Sequence, residues 1–512
     1  MPRYKDYSYD QDVMIPLRFS EQILPGTFEY TLNQLIDEKL DLSIFDQRYK
    51  NDETGSPAYD PAILLKIILY AYSKGIISSR KIEKLCRENV VCMALSADTH
   101  PHFTTIADFV SSMDQECIQL FTKILAVCYA ENLIGKNMFA IDGCKISSNC
   151  SKEWSGTKKD MLSKVEKIKK AVTYLVTKHA QTDRGPEDDG QVAKEKESIR
   201  KLNDKIEKIT QWMETHEDRI GSQGKPIKSN ITDNESAKMA TSHGVIQGYN
   251  GIAAVDEQCQ TIVWAEAFGD ANESSHLPEI LTGIEETFQQ TGIDSDVYKT
   301  VKITADSGYH NEKNMEVIHD RGIDAYIADN QFRKRDVRFK EVVKYKKKIA
   351  AWEPNRGKQY FDPEDFHLDG ETKLLFCPAG KPMWLKCANY RSSDGKHVGK
   401  AYMGHVATCN ACQLRSKCLR KATTKARQVV IFEVGGKGSS RNYSSWMRER
   451  FDTAHGRSVY SRRMGTVEPV FGHIAGTKKL NRFTLRGKNK VNNQWLLYCM
   501  VHNIEKIRKY GK

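Results

Sequence analysis

Met138-Phe-Ala-Ile-Asp-Gly143 and Val301-Lys-Ile-Thr-Ala-Asp-Ser-Gly308 are built alike: a short apolar run, an aspartate, then a glycine-containing turn. Each run reads as a strand, and the turn behind it puts Asp142 and Asp306 at strand carboxyl ends, where α/β sheets form their sites. Aspartate is also a favoured turn and cap residue, so either one alone says little. A third acid, Glu468, lies in Tyr460-Ser-Arg-Arg-Met-Gly-Thr-Val-Glu-Pro-Val-Phe-Gly472. Three such carboxylates suit phosphodiester chemistry, in which two hard cations ~3.5–4 Å apart clamp the attacking and leaving oxygens. Mg²⁺ prefers carboxylate oxygen and takes the rest of its ligands from water and substrate phosphate, so few protein ligands suffice. We therefore expect Asp142, Asp306 and Glu468 to share one site for Mg²⁺, with Mn²⁺ as a substitute.

The pattern around these acids alternates between helix and strand. Ala62-Ile-Leu-Leu-Lys-Ile-Ile-Leu-Tyr-Ala-Tyr72 is apolar almost all round and reads as a buried helix broken at Gly75. Ser79–Cys86 and a segment opening at Thr104-Thr-Ile-Ala-Asp-Phe109 add shorter helices, a set equally compatible with a helix-turn-helix DNA reader and with a plain helical bundle. After Asp142, Leu162, Val165, Ile168, Val172 and Leu175 recur at helical spacing, as do Ile199, Leu202, Ile206, Ile209 and Met213; Gly185-Pro-Glu-Asp-Asp-Gly190 between them predicts a helical hairpin packed on itself. Strand-like runs resume at 248–255 and 261–267. A helix over 275–290, the strand carrying Asp306, a helix near 311–321 and a strand at 324–328 follow. That order is the order of a ribonuclease H-like α/β core, with insertions accounting for the 164 and 162 residues that separate the acids. The expected divisions are an N-terminal segment (1–57), a helical domain of DNA-binding type (58–134), the first part of the core (135–330, with the hairpin at about 153–218), a Cys-rich insertion of short strands (331–435), and a basic helical completion of the core carrying Glu468 (436–512).

Charge is placed unevenly. Residues 431–512 hold 17 Lys and Arg against 5 Asp and Glu, which is the whole of the chain's formal +12. Interleaved Trp446, Phe451, Phe471, Phe483 and Trp495 make this a folded unit rather than a solvated tail, and a basic surface beside Glu468 suits a polyanion. A second basic cluster runs from Arg333-Lys-Arg335 to Lys346-Lys-Lys348. No run approaches the ~18 apolar residues a membrane span needs, and the N-terminus has no apolar signal core, so a cytoplasmic protein with no membrane partner is expected, nucleoid-associated when on DNA. Thirteen cysteines are then reduced thiols or metal ligands. Cys377, Cys409, Cys412 and Cys418 have the pattern of one structural Zn²⁺ site, with Cys387 as a spare able to replace one of them.

The motifs Tyr59-Asp-Pro61, Thr105-Ile-Ala-Asp-Phe109, Ile141-Asp-Gly143, Gly248-Tyr-Asn250, Ala305-Asp-Ser-Gly-Tyr309, Cys377-Pro-Ala-Gly380, Cys409-x-x-Cys412, Val467-Glu-Pro-Val-Phe-Gly472 and His502-Asn-Ile504 occur in an order that resembles bacterial insertion-sequence transposases of the DDE type, specifically the eleven-eighty-two group, with an InsH-like N-terminal domain. The resemblance implies metal-dependent cleavage of DNA at element ends and strand transfer to target DNA by a homo-oligomer. It implies Asp142, Asp306 and Glu468 as the catalytic metal ligands, with Tyr460 and Arg463 in the family's Tyr–Arg–Glu–Lys signature. The signature lysine, seven residues after Glu468, falls on Ala475, with Lys478 and Lys479 nearby. Expected phosphate contacts are Tyr460, Arg463, Lys478, Lys479, Arg482 and Arg486. Two other readings stand beside this one: a non-catalytic DNA-binding protein derived from a transposase, and a ribonuclease H-like nuclease. Because Glu468 precedes a proline, it is expected in the first turn of a helix.

Overall fold

The computed structural model describes residues 17–511 apart from 50–56, 183–188, 222–223, 225, 243, 295, 340, 343–359, 362, 371, 373, 392–397, 422 and 433–442. The 185–188 part of the hairpin link and the Lys346-Lys-Lys348 cluster thus lie outside the described residues. The chain forms two units, Met1–Ile327 with Thr453–Lys512, and Ala328–Asp452.

The first unit begins with helices. Asp60 starts the most buried of them, Pro61–Ser73, by accepting from the Ala62 amide at 2.7 Å, with Pro61 at the first helical position where its missing N–H costs nothing. Leu64 to Ser73 are all buried, and Gly75, at φ +75°, ends the helix. Helices Ser79–Glu88, Phe103–Ser112 and Gln115–Ala130 follow.

A mixed sheet comes next. Strand β1 (Met138–Ser147) is central, and Ser155–Gly156 (β2) pairs only with Ser229–Asn230 (β3). Between β2 and β3 run the helices Lys158–Thr182 and Asp189–Thr215. Their seam is set by Met161, Val165, Ile209 and Trp212, with Ile168, Ile206 and Met213 against them, while Leu162 stays about half exposed. The seam is therefore one residue off the expected heptad at its start, because Met161 rather than Leu162 turns toward Trp212.

The long strand β5 (Gly244–Asp256) pairs antiparallel with β1, and its outer edge carries β4 (Ala237–Thr241) and then β6 (Ile262–Phe268). On the other side of β1 lie the parallel strands β7 (Lys302–Ala305) and β8 (Ala325–Ile327). Since β5 runs against both β1 and β6, strands β1, β6, β7 and β8 all point the same way, and their carboxyl ends share one edge of the sheet. The hairpin β4–β5 was not foreseen; the run 248–255 shows its apolar half only, and the polar first residues of β5 hide the rest.

Two C-terminal helices close this unit. Helix Lys488–Tyr510 is buried along most of its length and packs against β6, helix Gln115–Ala130 and helix Pro61–Ser73, where the Tyr72 and Tyr498 rings lie 5.1 Å apart. Asn503 brackets Ile262, accepting from its amide at 2.9 Å and donating to its carbonyl at 2.8 Å, and Asn492 accepts from the Ala267 amide at 2.9 Å. These bonds satisfy the free edge of β6, which otherwise would invite pairing with another chain. The His502-Asn-Ile504 motif is thus structural: burial lowers His502 to about 3, and it bonds the Gln260 carbonyl at 2.9 Å.

Helix Ala454–Gly472 packs across β1, β5, β7 and β8 and runs straight through Pro469. Glu468 therefore lies near the end of a helix and not in its first turn. Proline at 469 cannot bond the carbonyl four residues back, but that residue is Gly465, whose carbonyl accepts from Gln260 Nε2 at 3.0 Å instead.

In the second unit, β9 (His367–Leu368), β10 (Leu375–Phe376), β11 (Pro382–Arg391), β12 (Val398–Met403) and β13 (Gln428–Phe432) form an antiparallel sheet in sequence order. Its core is small: Phe366, Leu375, Met383, Tyr402 and Val429, with Cys377 and Cys418 packed against it.

Candidate active site

Ile141 of β1 is in register with Ala305 of β7, so Asp142 and Asp306 stand one residue beyond the last paired position of two adjacent parallel strands. Their carboxylates meet on one side chain. Arg463, reaching from helix Ala454–Gly472, donates from Nη1 to Asp142 Oδ2 at 2.8 Å and from Nη2 to Asp306 Oδ1 at 3.4 Å. The guanidinium is buried, lies 5.6 Å from the Tyr460 ring centre, and leaves its Nε without a partner. Asp142 also accepts from the Gly143 amide at 2.9 Å, and Asp306 caps the turn Ser307–Tyr309. Burial raises Asp142 above the usual carboxylate range although Arg463 and the Gly143 amide pull it down.

Both aspartates line an open cleft of about 690 Å³ with Gly143, Lys145, Ser147, Ala240, Thr241, Ser242, Ile246 and a further acid, Glu273. Glu273 follows β6, on the same sheet edge as the other two. Burial raises it first, and the charge of Asp142 raises it further. The sequence reading missed it, since the four residues 269–272 separate it from Phe268 at the end of the strand. The signal was the strand direction: an acid after any strand parallel to β1 arrives at this edge.

Of the other expected residues, Glu468 is exposed and is not among the residues lining the cleft. Five helical positions after Arg463, it points about 140° away around the axis. Arg482 and Arg486 are exposed beside the end of β1, donating to the Ser148 carbonyl at 3.1 Å and the Asn149 carbonyl at 2.8 Å, and Lys479 is exposed as well. Lys478 is buried, its ammonium bonded to Glu505 and to the Ser73 carbonyl. Burial alone would raise Glu505, but the bonds from His473 and Lys478 bring it down to about 2. Lys478→Met should accordingly cost roughly 3 kcal/mol of stability, the scale for stripping one partner from a buried pair. Urea denaturation checks this; a variant as stable as the parent would show the pair to be dispensable.

Residues 17–112 match the family model described as Transposase domain (DUF772), and residues 376–508 match the model described as Transposase DDE domain. Both matched segments are similar to transposase domains, the second to one of the DDE type. No curated protein and no solved structure matches the chain. The DDE-domain match takes in Arg463, Glu468 and the cysteines of the second unit, whereas Asp142, Glu273 and Asp306 lie between the two matched segments.

Cys377, Cys409, Cys412 and Cys418 line one cavity of about 580 Å³ in the second unit, together with His405. Burial raises the Cys418 thiol, and Cys409, Cys377 and Cys412 add to the rise. Cys387 sits apart from them on β11, paired with Ala401 of β12. Among the described residues no three His, Cys, Asp or Glu side chains stand arranged to hold one metal ion. At the aspartates the Arg463 guanidinium bridges the two carboxylates. The donor set is hard carboxylate oxygen at one place and soft thiolate sulfur at the other, which fits Mg²⁺ and Zn²⁺ respectively. No helix of the described residues is long and apolar enough to cross a membrane.

Proposed function

We propose that this chain is a transposase that cleaves DNA at element ends and joins the freed 3′-hydroxyl to target DNA, on a ribonuclease H-like core whose Asp142 and Asp306 hold the catalytic divalent ion. The observation that carries the reading is the register of β1 and β7, which sets two carboxylates side by side just past the paired stretch of these strands, Asp142 midway along β1 and Asp306 beyond the end of β7, with Arg463 across them. The strand order β6-β5-β1-β7-β8, three antiparallel strands followed by two parallel ones, supports the core assignment. When bound, a divalent ion supplies an activated water and stabilises charge on phosphate oxygens. Lys145 projects into the cleft, Arg482 and Arg486 flank it, and together they draw a phosphate backbone toward the acids. Arg463 balances the two carboxylates in the absence of that charge. A homo-oligomer on DNA and a structural zinc on Cys377, Cys409, Cys412 and Cys418 complete the proposal. Elemental analysis of purified protein should find one zinc per chain, and its absence would leave the four as ordinary thiols.

The direct test is incubation of the protein with Mg²⁺ and linear DNA carrying the flanks of its own coding sequence. Cleavage at discrete flank positions is expected. Binding without cleavage at any Mg²⁺ concentration would favour the non-catalytic DNA-binding reading, and cleavage without positional preference would favour a simple nuclease.

The basic rim makes a separate prediction. Arg482→Gln with Arg486→Gln should weaken binding to all DNA sequences alike and lower the salt slope by about one unit per lost phosphate contact. Loss confined to one sequence would make these residues base readers.

A further inference from the structure

Resting on that reading, we infer that the helical hairpin inserted between β2 and β3 is a second contact surface for the DNA backbone, taking duplex onward from the basic rim of the cleft through Lys164 and Lys208 at its base and Lys159, Lys167 and Lys170 on its outer face.

Charge is divided unequally between the two helices of the hairpin. Helix Lys158–Thr182 holds seven lysines against Asp160 and Glu166, whereas helix Asp189–Thr215 holds six cations and six acids. Within the first helix, Lys158 is answered by Glu217 at 3.1 Å and Lys178 by Glu195 at 3.3 Å. Lys159, Lys167, Lys169 and Lys170 are exposed and, among the described residues, form no ion pair. At about 3.6 residues per turn, Lys159, Lys167 and Lys170 fall within about 80° of one another, on the side away from Met161 and Val165 in the buried seam. Tyr174 belongs to that same outer face and is 68% exposed, while its neighbour Leu175 is half-buried. Like charges so placed repel one another and stabilise nothing in the fold. With the exposed hydroxyls of Ser163 and Tyr174 among them, they are the groups that bind phosphate oxygens.

The base of the hairpin has cations of its own. Lys164 and Lys208, one from each helix, place their ammonium nitrogens 4.8 Å and 5.0 Å from the centre of the Trp154 ring. Attraction to the ring holds both there. Their hydrogen bonds go to neutral oxygens, the Glu153 carbonyl at 2.6 Å and the Thr232 hydroxyl at 3.4 Å, and neither forms an ion pair among the described residues. This cluster lies close to the rim of the cleft. Asn149, whose carbonyl accepts from Arg486 at 2.8 Å and whose side chain accepts from Arg482 at 3.2 Å, precedes Trp154 by five residues. Five residues span at most about 18 Å. That is roughly half a turn of duplex DNA, so rim and hairpin base are within reach of one stretch of backbone.

Fluorescence anisotropy of the full chain, titrated over salt with duplexes from the flanks of its coding sequence and with unrelated duplexes, reads these contacts without relying on turnover. Lys159→Gln with Lys167→Gln and Lys170→Gln should lower the salt slope by about three units and weaken binding at least ~10-fold at about 0.15 M salt, equally for both kinds of duplex. Lys164→Gln with Lys208→Gln should lower the slope by about two units. Unchanged far-ultraviolet circular dichroism keeps a folding defect from passing as a lost contact. If both hairpin variants keep the parent's slope while Arg482→Gln with Arg486→Gln lowers it, the hairpin is a solvated arm: the inference is overturned and the functional reading stands. A triple variant that keeps the slope but sediments without DNA as a smaller species than the parent assigns the face to contact between copies of the chain, which also overturns it. If the parent itself binds no duplex, the functional reading falls as well.

Discussion

Asp306→Asn is expected to abolish Mg²⁺-dependent strand cleavage while leaving DNA affinity within about twofold of the parent, since phosphate contacts supply most of that affinity. The amide keeps the shape of the side chain and its place at the head of the Ser307–Tyr309 turn, but it loses the charge that faces Arg463 and the cleft. The loss should exceed roughly 10³-fold, comparable to removing a principal electrostatic stabiliser of a phosphoryl-transfer site. DNA binding, read by gel shift or anisotropy, should survive because Lys145, Arg482 and Arg486 are untouched. Retained cleavage would remove Asp306 from the chemistry; joint loss of cleavage and binding would make it a structural residue.

The second large effect concerns the fold that holds the acids in place. Trp495 is fully buried in helix Lys488–Tyr510, donates from Nε1 to the Ile252 carbonyl at 3.1 Å, and stacks near Phe471 with ring centres 6.3 Å apart. It lies directly on Gly251, where an added Cβ would stand 3.1 Å from the indole ring. Glycine at 251 is thus a close approach of strand and helix, set on β5 beside the strand that delivers Asp142. Trp495→Ala should destabilise the protein by about 3–5 kcal/mol, through the cavity it opens and the carbonyl it orphans. Chemical denaturation measures this, and a loss under about 1 kcal/mol would mean that the helix is anchored elsewhere. Gly251→Val, which adds bulk at the same contact, should fail in the same direction.

Much of this arrangement was legible in the residues because its signals are local. Asp142 and Asp306 each end an apolar run that predicts a strand leading into the acid, and for Asp306 the strand does end there; β1 instead runs on through Asp142 and Gly143 to Ser147, because β5 continues to pair with it, so the turn expected at Gly143 is absent. Asp60-Pro61 ahead of an apolar stretch is a helix start that needs no tertiary context. What escaped was set by distant partners. Glu273 owes its position to strand direction and to two asparagines more than thirty residues away. Lys478 reads as an exposed phosphate contact until Glu505 and the Ser73 carbonyl are found around it. Glu468 precedes a proline, and local rules put such a residue at a helix start. Here Gly465 and Gln260 resolve the missing hydrogen bond, and the helix continues. The charge surplus of 431–512 likewise says how many cations there are, while packing decides which of them face solvent.

The central claim is that Asp142 and Asp306 hold a divalent ion where Arg463 now bridges them, and anomalous X-ray scattering from crystals of the full chain soaked in Mn²⁺ tests it most directly. The account predicts an anomalous peak within ligand distance of both aspartate carboxylates, about 2.0–2.3 Å from the nearest oxygens, with the Arg463 guanidinium displaced. Saturating Mn²⁺ with no peak there and Arg463 still across the two carboxylates would contradict it.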